Sequence, residues 1–149
     1  MDCEIKELNL NQAETIKNVI VKAFSCEPWK DDWRDRKQFD MYVKDLIDHE
    51  NSLSLGLYKD GALIAVCLGR VVHWHAGTQY RIDDLGIIPP FQGQGIGTHF
   101  IEQIEEICTK KGIKEITLKT NRRAGAYYFY QKNGFAELTD DAYFEKKCY

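Results

Sequence analysis

Leu85-Gly86-Ile87-Ile88-Pro89-Pro90-Phe91-Gln92-Gly93-Gln94-Gly95-Ile96-Gly97-Thr98 joins an apolar run to an amphipathic one through a cluster of glycines. Upstream, Tyr80 to Ile88 reads as a strand, stopped by Pro89-Pro90 because proline cannot donate to a ladder. Downstream, Gly95 opens a long helix that carries Ile96, Phe100, Ile101, Ile104 and Ile107 on one face and ends near Lys111-Gly112. A helix N-terminus leaves its first amides unpaired and partly positive, so it attracts phosphate. Glycine lets the backbone approach a ligand closely and adopt positive φ. The turn is therefore a sound pyrophosphate cradle. Its spacing from Gly93 is G-x-G-x-G, not the G-x-G-x-x-G of a dinucleotide fold, and no G-x-x-x-x-G-K-[ST] occurs.

Working outward, Cys3 to Leu8 predicts a short strand, and Asn11 with Glu14 resembles an Asx capping box. Ile16, Val19, Ile20 and Ala23 recur at helical spacing up to about Phe24. An aromatic and acidic loop, Glu27 to Trp33, leads to a second helix with Phe39, Tyr42, Val43, Leu46 and Ile47 on one face. Ser52 to Tyr58 alternates as a strand, and Asp60-Gly61 turns the chain into a returning strand, Ala62 to Val72. His75 to Thr78 is a second turn. After the long helix come a strand at Glu115–Thr120, a helix at about Ala124–Asn133, and closing strands around Phe135–Leu138 and Ala142–Lys147. The order β-α-α-β-β-β-α-β-α-β-β predicts an α/β protein, a mixed sheet flanked by helices, as one domain over residues 1–149.

Of 149 residues, 44% are hydrophobic and 29% charged, the balance of an ordinary globular protein. No apolar run approaches the roughly 20 residues that span a bilayer. No secretory signal is visible, so a cytoplasmic location is expected. Cys3, Cys26, Cys67, Cys108 and Cys148 lie far apart, with no metal-ligand spacing, so free thiols and no metal are expected. A net charge of −3, without a basic run, argues against nucleic acid as a partner.

Gln92-Gly93-Gln94-Gly95-Ile96-Gly97 resembles the Q/R-x-x-G-x-G/A motif of the GNAT superfamily of N-acetyltransferases, placed after a V/I-x-P pattern at Ile87-Ile88-Pro89. Ala126-Tyr127-Tyr128-Phe129-Tyr130-Gln131-Lys132-Asn133-Gly134-Phe135 resembles the family's A-x-x-F-Y-x-K-x-G-F block. The resemblance implies that backbone amides of Gln92, Gly93, Gln94, Gly95, Ile96, Gly97 and Thr98 hold the pyrophosphate of acetyl-CoA. It implies that the strands Asp84–Ile88 and Glu115–Thr120 splay apart, with pantetheine pairing to Leu85, Gly86 and Ile87 like an added strand. A backbone N–H near Ile87 would polarise the thioester oxygen. The family asparagine three residues before the motif alanine is Arg123 here, and Asn121 is the nearby candidate for that contact. The resemblance also allows a homodimer through Ala142–Tyr149.

Acetyl transfer to an amine needs a neutral nitrogen, and a carboxylate is suited to remove its proton. Asp83 and Asp84 lie on the strand entering the turn, expected on opposite faces; the family resemblance, through the pattern Ile82-Asp83-x-Leu85, implies Asp83 as base, with Asp84 in reserve. A strand carboxylate without catalytic work is the competing reading. Tyr130 matches the family tyrosine that protonates the departing thiolate, and a phenol does this while staying neutral. Trp29 and Trp33, with acidic neighbours, are candidates to line an acceptor groove; His73 and Trp74 are candidates to meet the substrate at a strand end. The expected function is acetyl-CoA-dependent N-acetylation of a primary amine, small-molecule or peptide, in a ternary complex. A non-catalytic acyl-CoA-binding module is the alternative; it would need neither Asp83 nor Tyr130.

Overall fold

The computed structural model describes residues 2–149, which form two compact units, 2–119 and Thr120–Tyr149. The first holds five strands in the order β1-β2-β3-β4-β5: β1 (Cys3–Glu7), β2 (Ser52–Lys59), β3 (Ala62–Trp74), β4 (Gly77–Ile87) and β5 (Glu115–Leu118). The first four are antiparallel neighbours and β5 joins β4 in parallel, so the sheet is mixed. The β2–β3 hairpin turns at Asp60 (φ 51°) and Gly61 (φ 80°), the left-handed pair a two-residue turn demands.

Two helices, α1 (Ala13–Phe24) and α2 (Arg36–Ile47), bury Ile16, Val19, Ile20, Phe39, Val43, Leu46 and Ile47 against Val66 and Leu68 of β3. The opposite face is covered by α3 (Ile96–Lys110), whose Ile96, Phe100, Ile104 and Cys108 pack with Leu55, Leu57, Cys67, Tyr80 and Ile82. The predicted cap of α1 is corrected. The capping residue is Asn9, whose Oδ1 accepts from the Asn11 N–H at 2.8 Å while Gln12 Oε1 accepts from the Asn9 N–H. A 3-10 turn, Leu10–Gln12, thus precedes α1, and the reciprocal pair sits two residues earlier than Asn11 and Glu14. Tyr80 ties the central strands together: its buried hydroxyl donates to the Leu53 carbonyl at 2.7 Å.

The second unit contains α4 (Gly125–Lys132). The two closing strands predicted around Phe135–Leu138 and Ala142–Lys147 do not form, and no strand occurs among the described residues of this unit. A strand exists only with a ladder partner, and alternation alone does not supply one. Leu138, Tyr143, Phe144 and Tyr149 are all exposed, so this segment buries no apolar face that would fix a register. Among the described residues, no helix is long and apolar enough to cross a membrane.

Candidate active site

The site in the first unit is built on a fault in β4. Leu68 pairs with Asp84 and Gly69 with Ile82, so Asp83 is an extra residue opposite none, a β-bulge. Its effect is legible in the packing: Ile82 and Leu85, three residues apart, both join the cluster on the α3 side. In a regular pleat they would face opposite ways. The two residues between them both turn to the α1/α2 side, which corrects the expectation that Asp83 and Asp84 take opposite faces. Gly86 faces the same side, and a Cβ there would lie 2.8 Å from the Phe24 ring and 3.0 Å from Ala23. Glycine thus lets the end of α1, and the loop leaving it, press onto β4.

The two carboxylates are not equivalent. Asp83 is exposed and lines a cavity of about 420 Å³ with Tyr42, Asp45, His49 and Arg70. Asp84 is half-buried, and its Oδ2 accepts a 2.5 Å hydrogen bond from the Tyr42 hydroxyl of α2. Burial pushes the Asp84 carboxyl up to about 6; Tyr42 opposes this, while Asp31 and Asp83 reinforce it by charge repulsion. Asp31, held by its N–H to the Phe24 carbonyl at 2.8 Å, is itself raised by burial.

Past the bulge, β4 also loses a neighbour. Its ladder with β5 runs only from Gln79↔Glu115 to Ile82↔Leu118, whereas Asp84 to Ile87 continue to pair with β3. One edge of Leu85, Gly86 and Ile87 is therefore left without a strand among the described residues, as the expected splay requires. The chain then crosses a 3-10 turn, Pro89–Phe91, to Gly93 (φ 74°) and Gly95 (φ 79°), the latter capping α3 without a side-chain hydrogen bond. The side-chain amides of Gln92 and Gln94 donate to the Ile87 and Pro90 carbonyls at 2.8 and 2.7 Å and so brace the loop. Nothing lies within 4 Å of a Cβ placed on Gly93. An exposed loop, a long helix behind it and no side chain serving its first amides fit a pyrophosphate at residues 93–98. Gln92 is corrected, because its backbone N–H donates to the Pro89 carbonyl at 3.1 Å and closes the 3-10 turn.

The remaining candidates are dispersed. Trp33 stacks on Phe39 and Tyr42, at 4.7 Å from each ring, beside the carboxylates. Trp29 meets Phe24 edge-on at 5.9 Å. His73 and Trp74 are exposed and pair with Thr78 and Gly77, the other end of the β3–β4 hairpin. Six residues of strand lie between Gly77 and Asp84, roughly 20 Å, so the structure does not bring this pair to the carboxylates. In the second unit Tyr130 lies on α4, its ring edge-on to Phe129 and Phe135 at 5.4 Å. Asn121 Oδ1 accepts from the Arg123 N–H at 2.9 Å, an Asx turn ahead of α4. Cys67 is wholly buried, its thiol pushed up to about 12, and takes no part in the site. Among the described residues no cluster of His, Cys, Asp or Glu is placed to hold a metal. Sequence reasoning missed Tyr42, which it placed only on an apolar helix face.

Comparison with known proteins agrees with this geometry. Over 130 residues the chain is 28% identical to aminoalkylphosphonate N-acetyltransferase of Salmonella typhimurium, covering 86% of this chain and 84% of that protein. It is 26% identical to spermidine N(1)-acetyltransferase of Thermoplasma acidophilum, covering 99% and 98%. The fold matches the structure of AAC(6')-Iy in complex with the bisubstrate analogue CoA-S-monomethyl-acetylneamine, with a TM-score of 0.75 and 17% identity over 99% of this chain and 100% of that one. Residues 13–135 match the sequence pattern of the Acetyltransferase (GNAT) family. With both motifs, the splayed strands and most of its length accounted for, the chain belongs to the GNAT family of acetyltransferases.

Proposed function

We propose that the protein transfers an acetyl group from acetyl-CoA to a primary amine on a small cationic molecule, with Asp84 as the proton acceptor. The observation that carries this is the pair Asp83 and Asp84 turned to one face by the bulge, next to a strand edge and a glycine turn suited to the cofactor. The named relatives that act on an aminoalkylphosphonate and on spermidine support a small amine as acceptor.

When bound, acetyl-CoA supplies an acyl thioester to the amine nitrogen. The residues of this chain do the rest. Backbone amides from Gly93 to Thr98 hold the pyrophosphate, and the open edge of Leu85 to Ile87 pairs with the pantetheine arm. Exposed Asp83 attracts the ammonium, and half-buried Asp84 takes its proton. A carboxyl near 6 is well matched to that task, since it is ionised at neutral pH yet far more basic than an exposed carboxylate. This reverses the preference for Asp83 expected from sequence, on grounds of burial. Tyr130, the tyrosine of the second motif, is proposed to return a proton to the leaving sulfur. A module that only binds acyl-CoA has no use for a basic, half-buried carboxylate beside the open strand edge.

The test is calorimetric titration with acetyl-CoA, followed by thiol release in the presence of spermidine, 2-aminoethylphosphonate, an aminoglycoside and a Lys peptide. Amine-dependent release supports the transferase and ranks the acceptors. Binding without release on any amine favours the binding module, and absence of binding overturns the reading.

A further inference from the structure

We propose that Tyr42 is a positioning residue for the acyl-transfer reaction: its hydroxyl clamps one oxygen of Asp84, so that the other is presented to the amine, and Trp33 holds Tyr42 in place for this. The proposal rests on Asp84 acting as the proton acceptor. Its geometric basis is a relay across three elements. The indole of Trp33, on the α1–α2 loop, stacks on Tyr42 and Phe39 of α2 at 4.7 Å and about parallel (interplanar 21° and 20°). The Tyr42 hydroxyl then donates to Asp84 Oδ2 of β4 at 2.5 Å.

The Trp33 ring, itself stacked on Phe39, fixes the phenol, and the phenol fixes the carboxylate plane. Oδ2 is committed, so the proton leaving the ammonium goes to Oδ1. The hydroxyl has a second effect, because a donor to the charged form favours that form. It opposes the burial and the charges of Asp31 and Asp83, which act in the other direction. The ionisable groups around this face are Asp31 of the loop, Tyr42 and Asp45 of α2, His49 just after it, Asp83 of β4 and Arg70 of β3. The Tyr42 phenol is itself driven far above its ordinary value, by burial first and then by Asp84. It therefore stays a donor throughout the working range.

The experiment uses the full chain with Tyr42→Phe, which keeps the stacked ring, and Trp33→Leu, which keeps the hydroxyl but removes its support. Carboxyl carbon NMR titration of Asp84 needs no substrate. In Tyr42→Phe its midpoint is expected to rise by about one pH unit, the scale of one lost hydrogen bond to a carboxylate. With spermidine or the best acceptor found, kcat/KM of Tyr42→Phe should be about fivefold low at pH 6 and within about twofold of wild type at pH 8. Trp33→Leu should move both readouts in the same direction by less. A purely structural role would lower activity evenly across pH. An unmoved Asp84 midpoint in both variants, in folded protein, overturns the proposal. Asp84→Asn separates the two readings: if it keeps wild-type kcat and the acid limb, Asp84 is not the acceptor and the function reading fails at that residue. If it abolishes turnover while Tyr42→Phe leaves the limb in place, only the role of Tyr42 falls.

Discussion

The two halves of β4 differ in almost every respect although they are one strand. From Gln79 to Ile82 the backbone is paired on both sides, with β3 and β5, and Tyr80 is wholly buried and hydrogen-bonded to Leu53. From Asp83 onward one neighbour is gone, the pleat is broken, and burial pushes a carboxyl up to about 6. In the proposed mechanism the first half contributes stability and the second contributes chemistry. Reactive groups gather where the regular pattern fails, because regular pairing leaves no backbone or side chain available for a ligand.

Asp84→Asn would break this contrast most forcefully. It should lower kcat by about 10² to 10⁴, the usual worth of a positioned general base, as measured by thiol release at pH 7.5. The same variant should gain stability. The Asp84 carboxyl titrates near 6 when folded against 3.8 for the ordinary group, so the folded state holds the extra proton between those values. Stability therefore falls as pH rises through that window, and at pH 7 the charge costs about 1–3 kcal/mol that asparagine avoids. Denaturant melts at pH 4 and pH 7 check this: the two proteins should converge at the lower pH. Gly95→Val, at φ 79°, places a branched side chain in a left-handed conformation. It should weaken acetyl-CoA binding by about tenfold or more, read by calorimetry, with a loss of about 1–2 kcal/mol in stability.

Tyr80→Phe tests the other half. It removes the buried hydroxyl's hydrogen bond to the Leu53 carbonyl and should cost about 1–2 kcal/mol in a denaturant titration, with the acid limb of the pH–rate profile unmoved. The smallest effect is expected from His73→Ala and Trp74→Ala, at the exposed end of the hairpin. Both should keep kcat/KM within about twofold and stability within about 0.5 kcal/mol. A large rise in KM for either would restore them as substrate contacts and extend the site along the strand.

Much of this was legible beforehand. The glycine turn, the strand before it and the helix after it follow from residue types whose backbone preferences leave few options, and Gly93 and Gly95 adopt the positive φ the turn requires. The two core faces were readable from helical spacing at Ile16, Val19, Ile20 and Phe100, Ile101, Ile104. The bulge was not, since its only local trace is two adjacent aspartates between apolar residues, which regular alternation reads as one on each face. Tyr42 was hidden for a different reason. Its partner lies 42 residues away, and helical periodicity assigns a tyrosine to the core without saying where its hydroxyl goes. The closing strands failed because pairing is a property of two segments, and a stretch such as Ala142–Lys147 carries no record of its partner.

The bulge also has a meaning in genetic terms. Ile82 and Leu85 face the same side of the sheet, so removing one of the two aspartates between them leaves an evenly alternating strand with a single carboxylate. The difference between a plain structural strand and a two-carboxylate face is thus one codon, inserted or deleted, and not a set of substitutions. A reading frame that gains or loses three nucleotides at this point changes the number of carboxylates on that face in a single step.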